Sequence, residues 1–333
     1  MGEVRSNAPG RQPPGAAFVP EPQSFNSTST QSIMPVMTMA EREQEHDEPL
    51  VPFPFADGRG DVGDGETERW LRPFGVYESD LGLDLRSALR PVATTRVLER
   101  CLRGGAAGPA DGEFLWNLTV GRRILALLTL AMAWDGGCIE LELRCPEASC
   151  GEGLELDVTL EELAGIEAEA GAQERVEVTI DGRLHALRRP TGRDQLEWIS
   201  RRFTDEREAM LWMARTLARP EGPQAPGEMP GLDETPGAGM DIDALAVIEE
   251  TMGAFDPLVN FVASVRCVHC GCEHDHEIDL EEIAFRRLRQ AQLRLLGTVH
   301  RLARHYHWSE QEIFAVPQWR RDYYLALIEQ ENR

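Results

Sequence analysis

Lysine is absent from this chain: all 34 basic residues are arginine, set against 57 acidic ones, for a formal net charge of −23. That balance argues against a dedicated binder of duplex DNA, because neutralising phosphates supplies most of such affinity. Long apolar runs are missing too. Nothing approaches the roughly 18 consecutive apolar residues of a bilayer-spanning helix, so no membrane insertion is expected. The N-terminus lacks the charged-then-apolar order of a secretory signal, and cytoplasm is the expected compartment. Also absent are H-E-x-x-H, G-x-S-x-G, a phosphate loop, a dinucleotide glycine fingerprint and the H-x-E…P-C-x-x-C signature of zinc deaminases. No enzyme is expected from these absences. Cysteine is scarce at seven, but two pairs are closely spaced, which in this compartment points to metal binding rather than disulfides.

Those two pairs carry the strongest signal. Cys145-Pro146-Glu147-Ala148-Ser149-Cys150-Gly151 is a C-x4-C knuckle, and Cys267-Val268-His269-Cys270-Gly271 a C-x2-C knuckle. Laid without gaps from the second cysteine, Leu160-Glu161-Glu162-Leu163 falls on Leu280-Glu281-Glu282-Ile283. Upstream, Leu143-Arg144-Cys145 resembles Val265-Arg266-Cys267. The chain reads as one strand–knuckle–strand–helix unit used twice, an internal duplication. Zinc takes four thiolate or imidazole ligands in a tetrahedron, and neither pair completes that shell alone. Joining Cys145, Cys150, Cys267 and Cys270 around one structural zinc per chain is the economical arrangement. A metal-free knuckle, or no metal, are the competing readings. Glycine after the second cysteine suits a turn that folds the backbone towards an ion. Four ligands leave no open position for water, so the metal is expected to be structural and not catalytic.

Other ligand types crowd the second knuckle: His269, Cys272, His274 and His276. Cys272 is placed to swap for Cys270. In the overlay His274 and His276 replace Leu154 and Leu156, which favours partly buried imidazoles hydrogen-bonded locally over ligation. Cys101 and Cys138 read as core thiols.

The expected fold class is α+β: two zinc-knuckle β-hairpin units enclosed by helices, with a disordered N-terminal tail and a helical C-terminus. Residues 1–65 are rich in Pro, Gly, Ser and Asn and lack hydrophobic periodicity, so they are read as the tail. Arg59-Gly60-Asp61 within it is a chance likeness to an adhesion motif. Residues 66–219 hold helices over 94–102 and 120–134, the first knuckle hairpin, and a second hairpin around Asp181-Gly182. Helices at about 192–202 and 205–218 complete that region. Residues 220–240, with five prolines and five glycines, are a linker. Residues 241–333 hold a helix near 242–252, a strand over 258–265 and the second knuckle. A long helix over 280–306 follows, then a break at Pro317 and a terminal helix to about Glu331. Capping pairs are read at Thr159/Glu162, Asp279/Glu282 and Ser309/Glu312.

The long helix carries Arg286, Arg287, Arg289, Arg294, Arg301 and Arg304 around an apolar stripe. A solvated face pairing with the chain's own carboxylates is the expected role. His300, His305 and His307 are read as packing residues. Trp308, Trp319, Tyr323 and Tyr324 either pack internally or form an interaction patch.

The succession of motifs resembles a known family. An apolar helix follows Leu118-Thr119-Val120-Gly121-Arg122-Arg123, then comes the Leu143-Arg144-Cys145-Pro146…Cys150-Gly151 knuckle. A hairpin ends in Leu187-Arg188-Arg189-Pro190-Thr191-Gly192-Arg193-Asp194, ahead of the second knuckle. The chain closes with Val299-His300-Arg301-Leu302-Ala303-Arg304-His305-Tyr306-His307-Trp308-Ser309-Glu310-Gln311-Glu312-Ile313-Phe314. This is similar to proteins encoded beside baseplate genes of contractile phage tails and phage-tail-like injection particles. They are distantly similar to the T-even phage baseplate hub assembly chaperone. The likeness covers residues 85–331 and implies a non-enzymatic role in baseplate or hub assembly through contacts with other structural subunits. Members often have two C-x2-C knuckles, and Cys145-x4-Cys150 departs from that pattern. A zinc-dependent nucleic-acid-binding regulator is the alternative function, and a metallohydrolase with a three-ligand open site is a third.

Overall fold

The computed structural model describes residues 50–54, 69–104, 110–133, 136–180, 182–218 and 244–331. Most of the expected tail, Arg59-Gly60-Asp61, Asp181 and the whole 220–240 linker lie outside the described residues. Residues 50–54 are the exception. There β1 (Val51–Pro52) pairs antiparallel with β2 (Arg69–Leu71), which pairs in turn with β3 (Leu102–Gly104), and Phe53 is buried. The reading of 1–65 as a tail without order is therefore corrected at this strand. Phe53 buries enough apolar surface, against the ring of Phe114 among others, to hold the segment in place.

Between β2 and β3 run the short α1 (Glu78–Leu81) and α2 (Arg90–Cys101). The second starts four residues before the expected helix because Pro91 sits in its first turn, where a missing N–H costs nothing. Helix α3 (Ala110–Asn117) was not read from the sequence. Next comes α4 (Val120–Ala131), in which every residue but Arg122 is buried. Hairpin β4–β5 (Cys138–Arg144, Gly153–Thr159) leads into α5 (Leu160–Gly171), a twelve-residue helix opened by the expected Thr159/Glu162 cap. Hairpin β6–β7 (Arg175–Ile180, Arg183–Arg188) precedes α6 (Gly192–Arg201) and α7 (Glu206–Leu217). Helix α8 (Leu245–Phe255) lies about three residues later than expected. Hairpin β8–β9 (Phe261–Arg266, Glu273–Ile278) then feeds α9 (Leu280–Tyr306). Helices α10 (Glu310–Ala315) and α11 (Gln318–Glu331) end the described chain.

The main core forms where α4 lies along the first half of α9, closed by α2, the β1–β3 sheet and the inner face of β4–β5. A second apolar cluster packs β6–β7 against α7 and α8. A third gathers the last turns of α9 with α10 and α11 around Leu302, Ile313, Leu325 and Ile328. Tyr306, Trp308 and Tyr324 stack inside this third cluster, whereas Trp319 and Tyr323 are exposed. The expected packing role of His300 and His307 is corrected, since both are exposed; His305 is exposed as well, but its ring packs edge-on against Tyr306 at 4.7 Å and it pairs with Glu331 at 3.2 Å.

Buried arginines tie these parts together. Arg72 holds Asp80 with two hydrogen bonds, and Asp80 also accepts from the backbone N–H groups of Gly75, Val76 and Tyr77. Arg123 of α4 donates to the carbonyls of Leu115 and Pro91 and to Thr95 Oγ1. Such pairing is what makes a buried guanidinium tolerable.

Candidate metal centre

The two knuckles occupy the tips of β4–β5 and β8–β9, and the hairpins are built in the same register. Leu143, two residues before Cys145, pairs with Leu154, four residues after Cys150. Val265 and His274 stand in the same relation to Cys267 and Cys270. Each turn is closed alike: Cys145 N–H donates to Glu152 O, and Cys267 N–H to Cys272 O, both at 2.9 Å. Gly151 (φ +63°) and Gly271 (φ +76°) adopt the left-handed backbone that turns the chain back into its strand. The two extra residues of the first knuckle thus leave its exit unchanged.

The tips face each other. The sulfur atoms of Cys145, Cys150, Cys267 and Cys270 all lie within 4.8 Å of one another. Cys145 Sγ is 3.6 Å from Cys270 Sγ, and Cys150 Sγ is 3.8 Å from Cys267 Sγ. These distances exclude disulfides, whose S–S bond is about 2.05 Å. They suit a tetrahedral ion instead, because bonds of about 2.3 Å set sulfur–sulfur edges of about 3.8 Å. All seven cysteines are free. Cys145 and Cys267 are buried, with Leu143, Leu154 and Val265 packed beside them, Cys150 is half-buried and Cys270 is exposed. The cluster is therefore sealed on its inner side and open on one edge.

Backbone dipoles and burial divide the thiols. The Cys270 N–H aimed at Cys267 sulfur, with burial opposing and the His269 N–H assisting, brings that thiol down to about 6. Burial pushes Cys145 up to about 12. Cys267 is thus the more readily ionised of the two, and an arriving divalent cation must displace the proton of Cys145. Cys101, by contrast, is buried far from the cluster and pushed up to about 12 by desolvation, as a core thiol should be. Cys138 is only half-buried, short of the expected core position.

Of the additional ligand types, the structure brings Cys272 and His274 to Cys270, with sulfur and imidazole nitrogen atoms within 4.8 Å of one another. Cys272 and His274, two apart on entering β9, share a face, and the turn through Gly271 brings Cys270 to them. Hydrogen bonding to Cys270 raises the Cys272 thiol. His274 and His276 are half-buried, on the inward face as expected. The local hydrogen bonds expected for them are missing at one nitrogen each, since neither Nε2 has a partner among the described residues. His269 and His276 belong to neither cluster.

The arrangement is a mixed α+β scaffold holding a cysteine cluster whose geometry fits a metal ion. No helix among the described residues is long and apolar enough to cross a membrane. Comparison with protein-family models, curated proteins and solved structures finds no match.

Proposed function

We propose that this chain is a non-enzymatic interaction protein, stapled by one structural zinc ion per chain and duplicated around it. It acts as an assembly factor or structural component of the baseplate or hub of a contractile, phage-tail-like injection system. The observation that carries the staple is the meeting of four thiols from turns more than a hundred residues apart. Cys145, Cys150, Cys267 and Cys270 complete a zinc shell by themselves, leaving no position for a substrate or an activated water. Binding energy at such a site is folding energy, on the order of 10 kcal/mol or more. The baseplate assignment rests on the succession of motifs from Leu118 to Phe314.

Three of the six arginines named on α9 weigh against the nucleic-acid alternative. Arg287 donates to Cys138 O, Arg289 to Leu85 O and the Glu282 carboxylate, and Arg301 to Glu329. These are internal partners, as a solvated face of an acidic chain should show. Affinity purification of the tagged full chain from its own cells tests the assignment. Recovery of baseplate, tube or sheath proteins is the expected result. Recovery of nucleic acid instead, with binding that falls steeply with salt, favours the regulator.

A further inference from the structure

Cys272 and His274 have no counterparts in the first knuckle hairpin. Cys267 N–H donates to Cys272 O as Cys145 N–H does to Glu152 O, and His274 pairs with Val265 as Leu154 does with Leu143. The same two positions thus hold glutamate and a buried leucine in one hairpin, cysteine and histidine in the other. Leu154 packs beside Cys145 and Cys267. An imidazole at that position gives up apolar packing and brings nitrogens that need partners. His274 is half-buried, and its enclosed Nε2 has no hydrogen-bond partner among the described residues. The first hairpin shows that the fold needs neither ligand type, so packing alone does not explain them.

Their placement does. One ligand atom each of Cys270, Cys272 and His274 lies within 4.8 Å of the others, and Cys270 also belongs to the four-thiol cluster. Cys270 and Cys272 are exposed, so the trio stands on the open edge of that cluster, within reach of an ion from solvent. Two sulfurs and an imidazole nitrogen suit zinc-like ions and not calcium or magnesium, which take oxygen ligands. A thiolate bound to one ion keeps lone pairs with which to bridge to a second. Four thiolates around zinc also leave a net negative charge, which favours another cation alongside.

We propose that Cys270, Cys272 and His274 form a second, weaker site for a zinc-like divalent ion, with Cys270 as a bridging thiolate and solvent in the fourth position. Two of its three ligands are exposed, one is shared and one position is left to water, so it fills only after the first site. The chain therefore carries one zinc until free metal is in excess. The proposal rests on the reading of the four thiols as a zinc staple, and its test separates the two.

The test is anaerobic titration of the full chain with cobalt(II), after loading with one equivalent of zinc confirmed by metal analysis. Cobalt binds such sites more weakly than zinc, so it leaves the first ion in place. Its sulfur-to-metal charge-transfer absorption reports thiolate ligation. The wild type should gain this absorption up to one cobalt per chain while keeping its zinc. Cys272→Ser and His274→Leu should each weaken cobalt binding by about tenfold or more, with zinc content unchanged. Leucine is the residue of the first hairpin at that register, so His274→Leu should fold. No charge-transfer absorption from a chain that holds its zinc overturns the second site and leaves the staple standing. Cobalt binding that either variant leaves unchanged overturns it as well. Loss of the first zinc from either variant would assign that residue to the first shell and also overturn the proposal. A chain that takes up no zinc at loading overturns the staple, and the bridged site with it.

Discussion

Gly271 carries a conformation that other residues adopt only at a cost. Its φ is +76°, and a Cβ added there would meet nothing within 4 Å. The penalty for Gly271→Ala is thus purely one of backbone conformation, about 1–2 kcal/mol. Urea unfolding of the zinc-loaded variant should show that loss, together with weaker zinc retention against a chelator. Asp256 poses a different problem. It is buried, and both carboxylate oxygens lack hydrogen-bond partners among the described residues. Desolvation, reinforced by the nearby Glu167 and opposed by Arg189, raises it to about 7. The folded chain therefore keeps a proton that the unfolded chain releases near pH 4. Stability contributed by this proton is complete below that value and is lost as pH rises to about 7, by up to about 1.4 kcal/mol per pH unit. Asp256→Asn should flatten that slope, so denaturation midpoints of variant and wild type should diverge from about pH 5 to 7 and run parallel above.

At the scale of elements, caps and register do most of the placing. Thr159 Oγ1 accepts from the Glu162 N–H while the Thr159 N–H donates to the Glu162 carboxylate, fixing where β5 becomes α5. Thr159→Ala should cost about 1 kcal/mol in thermal or urea unfolding without changing zinc content. Such local chemistry is what the sequence makes legible. The Leu280–Tyr306 helix has its expected bounds because Asp279 caps one end and His307, at φ +59°, terminates the other. The hairpins were readable from period-two alternation and from the repeated cysteine spacing. Less readable were elements whose reason for existing is a distant partner. The strand Val51–Pro52 has no pattern of its own and exists because Trp70 and Leu71 offer an edge and Phe53 a buried anchor. Helix α3 follows a glycine-rich stretch and has little periodicity, and Leu115 and Phe114 fix it against the main core. At the cysteine site, spacing foretold which four thiols meet. It did not reveal that Cys272 and His274 converge on Cys270, because the weight given to the leucine overlay hid the shared face. Nor does any sequence pattern announce that Arg321 is buried, since an arginine on a terminal helix is usually solvated.

Across the whole molecule, the helical parts have apolar clusters of their own, whereas the two knuckle tips meet through little beyond sulfur and a few aliphatic groups. Without an ion, four thiols share a small, partly closed space in which Cys145 is pushed above and Cys267 below the ordinary thiol value. With zinc bound, the same atoms become one crosslink between chain segments 117 to 125 residues apart. Cys145→Ser and Cys267→Ser should each lose the ion and lower the melting temperature, although the mutated residues belong to different hairpins. The most direct test is metal analysis with zinc X-ray absorption on the purified full chain. One zinc per chain, with four sulfur neighbours at about 2.3 Å, is the expected result. A chain that binds no zinc, or a shell with fewer than four sulfurs, would contradict it.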